Sequence, residues 1–146
     1  MLFRSLVAAF TASTLSEPAA SGALTCMAQR GPDAEGRWRA DGVFLGHRRL
    51  AIVDLDPRSA QPMQSTCDRY AILFNGEIYN YRPLRDELER RGVVFRTTSD
   101  TEVILALFAA EGDAMLPKLH GMFAFIIWDK VARRAFVARE IGRAHV

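Results

Sequence analysis

The run Tyr70-Ala71-Ile72-Leu73-Phe74 narrows the possible folds more than any other part of the chain. Five consecutive apolar residues make a strand and are too few for a buried helix, and without polar alternation the strand needs cover on both faces. Met122 to Trp128 is a second such run, followed by a polar turn from Asp129 to Arg134 and a returning strand from Ala135 to Ala138. Two antiparallel sheets with helices outside would bury runs this apolar, so the fold is predicted to be α+β. Asn75 and Gly76 follow the first run directly, and the strand is expected to break there as it reaches the surface. Two readings are open for this pair. It is an ordinary Asn-Gly turn, or an amide side chain and an unobstructed backbone N–H that together hold a developing oxyanion.

The segments around these runs supply the other elements. Tyr81 to Arg91 is predicted to be a surface helix with Leu84 and Leu88 on its buried side and Gly92 as its stop. Val93-Val94-Phe95-Arg96 reads as a strand, and Ser99-Asp100-Thr101-Glu102 as a capping box in which Glu102 reaches back to Ser99. Asp100 then lies in a helix's first turn, where a carboxylate complements the helix dipole and could equally meet a ligand ammonium. Val103, Ile104, Leu107 and Phe108 form that helix's apolar face, and Gly112 closes it. Leu24 to Arg30 reads as the end of an earlier helix stopped by Gly31-Pro32, with Cys26 as a small packing residue. In the strand-like stretch from Val43 to Asp54, Arg48 and Arg49 need anionic partners if enclosed. A ligand carboxylate and an internal pairing with Asp33 or Asp54 fit equally well. Cys67 is a turn residue ahead of the apolar strand.

Composition excludes several classes. The 146 residues, 49% hydrophobic and 25% charged, suit one soluble globular domain and contain no membrane span. A net charge of +2 with both signs interspersed leaves no footprint for nucleic acid or an anionic membrane. Two cysteines and three scattered histidines form neither a disulfide framework nor a metal-ligand spacing, which points to a reducing cytoplasm. The apolar run in Met1 to Phe10 is too short, and too interrupted by Arg4 and Ser5, for a signal peptide.

Six collinear blocks carry a resemblance: Arg30-Gly31-Pro32-Asp33, Gly46 through Asp54, Gln61-Pro62-Met63, Asn75 through Tyr81, Ser99 through Leu105, and Gly121 through Asp129. In order and spacing they resemble the class II glutamine amidotransferase domain, most of all that of the glutamine-hydrolysing asparagine synthetases, over residues 6–140. The resemblance implies a four-layer αββα sandwich of the N-terminal-nucleophile hydrolase type, here incomplete. It implies L-glutamine as ligand, with Arg49 on the α-carboxylate, Asp100 on the α-ammonium, and Asn75 with Gly76 as the oxyanion hole. Glu77 would complete the site, and Leu50, Ala51, Ile52 and Val53 would line it. The parent protein would pass ammonia from glutamine to a C-terminal synthetase domain that uses ATP and Mg²⁺ on aspartate. This domain itself would need no cofactor and no metal, and the parent could be a homodimer. A synthetase-like relative that keeps the domain as a non-hydrolytic scaffold, or a glutamine-binding or structural module, is the alternative.

The family's nucleophile is a cysteine at the mature N-terminus whose own α-amine acts as base. This chain begins Met1-Leu2-Phe3-Arg4-Ser5, and neither Cys26 nor Cys67 aligns with that place, so the chain is expected to bind glutamine without hydrolysing it. Residues 1–5 and 141–146 are what one sequencing-adaptor oligonucleotide encodes in its two reading directions. They are therefore expected to be non-native ends on a gene fragment.

Overall fold

The computed structural model describes residues 4–11, 15–49 and 60–140, with the backbone alone at Arg4 and Arg49. Three strands form one antiparallel sheet in the order β1 (Arg4–Phe10), β3 (Val43–Arg49), β2 (Ala34–Ala40). Four form a second: β4 (Met63–Gln64), β5 (Tyr70–Ile78), β6 (Gly121–Asp129), β7 (Arg134–Glu140). Helix α1 (Glu17–Cys26), continued by a short 3₁₀ turn at Ala28–Arg30, follows β1. Helices α2 (Tyr81–Arg90) and α3 (Asp100–Glu111), with a 3₁₀ turn at Gly112–Lys118, lie between β5 and β6.

Strand alternation explains the layering. On β5, Ala71 and Leu73 pack with Val43 and Leu45 of β3 and Trp128 of β6 between the two sheets. Tyr70, Ile72 and Phe74, one residue out of phase, point the other way and pack with Leu84 and Leu88 of α2 and Val103, Ile104 and Leu107 of α3. Phe44 faces away from the inter-sheet layer and meets Ala20 and Leu24 of α1. The order is thus helix, sheet, sheet, helices, and the unalternating run Tyr70–Phe74 is explained because both of its faces are core. Leu6 and Ala8 of β1 contribute to the inter-sheet layer and Val7 and Ala9 to the α1 layer, so the first apolar run is a strand serving two layers.

Two local expectations away from the Asn75–Asp100 region differ from the structure. Val93 to Arg96 is not a strand. Gly92, at φ +88°, ends α2, and the Val93 N–H donates back to the Leu88 carbonyl, which spends the segment on terminating the helix. Phe95 lies under the Arg85 guanidinium, 4.4 Å from ring centroid to cation, and among the described residues no strand is paired with it. Cys26 is exposed at the end of α1 instead of packing, because Ala20 and Leu24 form that helix's buried stripe.

Candidate functional site

Strand β5 does not break at Asn75. The ladder with β6 runs on through Asn75 opposite Ala124, Gly76 opposite Phe123, Glu77 opposite Met122 and Ile78 opposite Gly121. Glycine is what permits this. Gly76 has φ +140°, and a Cβ there would lie 2.1 Å from the Met122 carbonyl oxygen and 2.6 Å from the Phe123 Cα. A Cβ on Gly121 would likewise meet the Glu77 oxygen at 2.1 Å, so each backbone leaves no room for a side chain at the other's glycine. The Asn-Gly pair is therefore not a hairpin turn but a distortion within a strand. Asn75 and Gly76 are half-buried, Glu77 is exposed, and among the described residues the Asn75 side-chain amide makes no hydrogen bond.

Asp100 opens α3 and joins this end of β5 through its carboxylate, where Oδ2 accepts from the Ile78 N–H at 3.1 Å. The structure thus brings Asp100 to the same strand end as Asn75, Gly76 and Glu77. Ser99 caps the helix as expected, its hydroxyl accepting from the Glu102 N–H at 3.3 Å. The reciprocal half of the capping box does not form. Glu102, only 5% exposed, instead accepts from the Arg96 N–H at 2.9 Å, the Thr97 N–H at 2.7 Å and the Thr97 hydroxyl at 2.7 Å. A buried carboxylate needs several donors, and the loop ahead of α3 has backbone N–H groups that no strand uses. The Thr97 hydroxyl in turn accepts from the Ser99 N–H at 3.2 Å. Glu102 therefore fixes the approach to the helix whose first residue is Asp100.

Arg49 is the last residue of β3, its backbone paired with Arg4 on β1 and Ala34 on β2. Its side chain, and all of Leu50, Ala51, Ile52 and Val53, lie outside the described residues. Arg48 has its partners within the fold: its Nε donates to the Leu24 carbonyl at 3.2 Å, and its guanidinium lies 3.3 Å from the Glu35 carboxylate. That pairing is internal, made with Glu35; the pairing offered with Asp54 lies outside the described residues.

Neither cysteine sits on β3, β5 or α3, the elements that carry the candidate residues. Cys26 ends α1 on the outer side of the three-stranded sheet. Cys67 precedes β5 at the far end of the strand, and five residues from Tyr70 to Asn75 span about 17 Å. Its sulfur lies 3.3 Å from the Ser65 hydroxyl, and this contact, with lesser help from the Arg69 backbone and charge, holds the thiol below its usual pKa. Cys67 borders an apolar cleft of about 280 Å³ beside α3, but neither Asn75 nor Asp100 lines it.

One buried residue had no individual signal in the sequence. Gln61, 4% exposed, accepts from the Phe74 N–H through Oε1 at 2.6 Å, and its Nε2 donates to the Thr101 hydroxyl at 3.4 Å. Its partners are 13 and 40 residues away, a separation that no periodicity reveals.

A sandwich of two antiparallel sheets between helix layers is the architecture of the N-terminal-nucleophile hydrolases. A solved structure of this kind, glutamine phosphoribosylpyrophosphate amidotransferase from Bacillus subtilis, matches 68% of this chain and 23% of its own at 28% identity and a TM-score of 0.57. The chain belongs to the glutamine amidotransferase domain family, which matches residues 5–143. Among similar proteins, asparagine synthetase [glutamine-hydrolyzing] 1 of Bacillus subtilis is 46% identical over 111 residues, covering 76% of this chain and 17% of the relative. A putative asparagine synthetase [glutamine-hydrolyzing] of Mycobacterium tuberculosis is 47% identical over 124 residues, covering 78% of this chain and 19% of the relative. The chain therefore spans less than one-fifth of the length of these relatives.

Proposed function

We propose that this chain is the glutamine-binding part of a glutamine-hydrolysing asparagine synthetase and that it holds L-glutamine at the junction of β3, β5 and α3. Asp100 meets the α-ammonium and Arg49 the α-carboxylate, the latter through the paired donors of a guanidinium. The Asn75 side-chain amide and the Gly76 N–H face the oxygen of the γ-amide. In the intact parent a cysteine thiolate would attack the γ-amide carbon, the displaced electron pair would collect on that oxygen, and the two donors would stabilise it. Ammonia would leave and water would release glutamate from the thioester. The ammonia would serve a following domain that activates aspartate with ATP and Mg²⁺ in the cytoplasm. The observation that carries the reading is the Asp100–Ile78 bond, which sets a carboxylate three residues along β5 from Asn75.

The start of β1 lies against the Arg48–Arg49 end of β3, with Arg4 and Ser5 at that place and no cysteine. Among the described residues no helix is long and apolar enough to cross a membrane. Calorimetry with L-glutamine tests the assignment. Binding is expected to be lost in Arg49→Ala and Asp100→Ala, because a charged ligand group left without its partner typically costs about 3–5 kcal/mol. Unchanged affinity in both variants overturns the reading.

A further inference from the structure

We propose that Gln61 is a positioning residue that fixes the spacing between the oxyanion donors and the ammonium-binding carboxylate, an inference that rests on the glutamine reading above. Strand β4 pairs with β5 for only two residues, Met63 opposite Ile72 and Gln64 opposite Ala71. Continued by two, the same register would set Gln61 opposite Phe74. The main chain leaves the ladder there and the side chain takes its place, accepting the Phe74 N–H at 2.6 Å. Phe74 is fully buried, so without Gln61 its N–H has no strand to pair with. The freed Gln61 carbonyl turns toward the other sheet, where a Cβ on Gly36 would lie 1.7 Å from it. Gly36 is opposite His47, two residues from Arg49 along β3. The amide nitrogen reaches Thr101 through the longer 3.4 Å contact.

One residue thus touches the neighbour of Asn75 on β5, the neighbour of Asp100 on α3, and the sheet that carries Arg49. The contacts to Phe74 and Thr101 are each made one residue away from a proposed ligand group, the third on the strand beside the one that carries Arg49, and none of them to the ligand. A ligand anchored at both ends feels an error in that spacing, whereas a ligand anchored at one end does not.

Two ligands separate these cases. L-glutamine spans the site. L-2-aminobutyrate carries the same α-ammonium and α-carboxylate and lacks the amide. In Gln61→Met, which keeps length without polar atoms, glutamine affinity by calorimetry is expected to fall about tenfold while aminobutyrate affinity, by NMR titration, changes less than about twofold. Gln61→Glu retains the acceptor for Phe74 and is expected to recover most of the loss. Gly36→Ala, which displaces the Gln61 carbonyl, is expected to reproduce the selective loss. Equal loss for both ligands, or a glutamine loss matched by the core variant Leu88→Ala at similar unfolding free energy, overturns the proposal and assigns Gln61 a purely structural role. Failure of the unsubstituted chain to bind glutamine would refute the function proposed above. The positioning claim is then decided by ¹H–¹⁵N spectra of the ligand-free chain. Gln61→Met is expected to move both the Asn75 side-chain resonances and the Ile78 amide, and unmoved signals at both overturn it.

Discussion

Gly76→Ala should be costly for two separable reasons, and Gly92→Ala isolates one of them. Gly76 and Gly92 both have positive φ, +140° and +88°, so alanine is strained at either position. Holding a non-glycine residue in such a region costs about 1–3 kcal/mol. At Gly92 nothing lies within 4 Å of the new Cβ, and the cost stops there. At Gly76 the Cβ would fall 2.1 Å from the Met122 oxygen, and both nearest atoms belong to backbone that cannot rotate away. Forcing β5 and β6 apart over that register adds about 1–3 kcal/mol, as overpacking does in other cores. The sum at Gly76 is about 4 kcal/mol, a large share of the roughly 5–15 kcal/mol that stabilises a domain. At about 3 °C per kcal/mol for a chain of this size, the melting temperature should fall by about 12 °C. Urea unfolding of both variants beside the unsubstituted chain reads the difference directly. If Gly76→Ala is destabilised by no more than Gly92→Ala, the close approach of the two strands is not what fixes Gly76, and the argument from its missing Cβ fails.

Acid should weaken the fold through Asp129. Arg69 grips its carboxylate with contacts of 2.7 and 3.1 Å, the Val131 and Ala132 N–H groups donate at 2.9 Å, and the pKa is lowered to about 2. A depressed carboxylate contributes stability above its unfolded pKa near 3.8 and loses it as pH falls through the folded value, so Asp129→Asn should flatten the stability profile between about pH 4 and 2. A profile of unchanged slope would rule this out. Glu102→Ala strands three donors in a buried place and should cost about 3 kcal/mol in urea unfolding, with Glu102→Gln milder because it keeps one acceptor oxygen. Cys67, its pKa lowered mainly by Ser65, should alkylate faster than an ordinary exposed thiol while glutamine affinity by calorimetry stays unchanged. A fall in affinity on alkylation would place the pocket elsewhere.

The layers of this fold were legible because the unbroken apolar run Tyr70–Phe74 cannot be satisfied by a sheet with one wet face; the second run buries Phe123, Phe125, Ile127 and Trp128 but leaves Met122 exposed. Helices α2 and α3 were legible from Leu84 and Leu88 one turn apart and from Ser99 as a cap. What escaped was set by partners distant in sequence. Val93 to Arg96 has strand-like residues, but the helix end uses its first N–H and Glu102 takes its last. Glu102 was expected to turn toward Ser99, three residues away, yet found better donors at Thr97. Asn75-Gly76 looked like the end of a strand because the dipeptide is common in turns, and only the close approach of Gly76 to Met122 and Phe123 shows how the ladder continues past it. The placement of Asp100 beside β5 follows from the packing of α3 on that strand and from a bond to Ile78, 22 residues away, which local pattern does not encode.

Strand β5 has no face of its own to spare: alternate residues from Ala71 to Phe74 belong to the inter-sheet layer and to the helix layer, and all four are fully enclosed. Neither layer can melt while the other stays intact, since each would have to give up the same strand. The amides of Ala71 to Phe74 should accordingly be the last to exchange with deuterium, at the rate of global opening, with α2 and the three-stranded sheet losing protection in one concerted event.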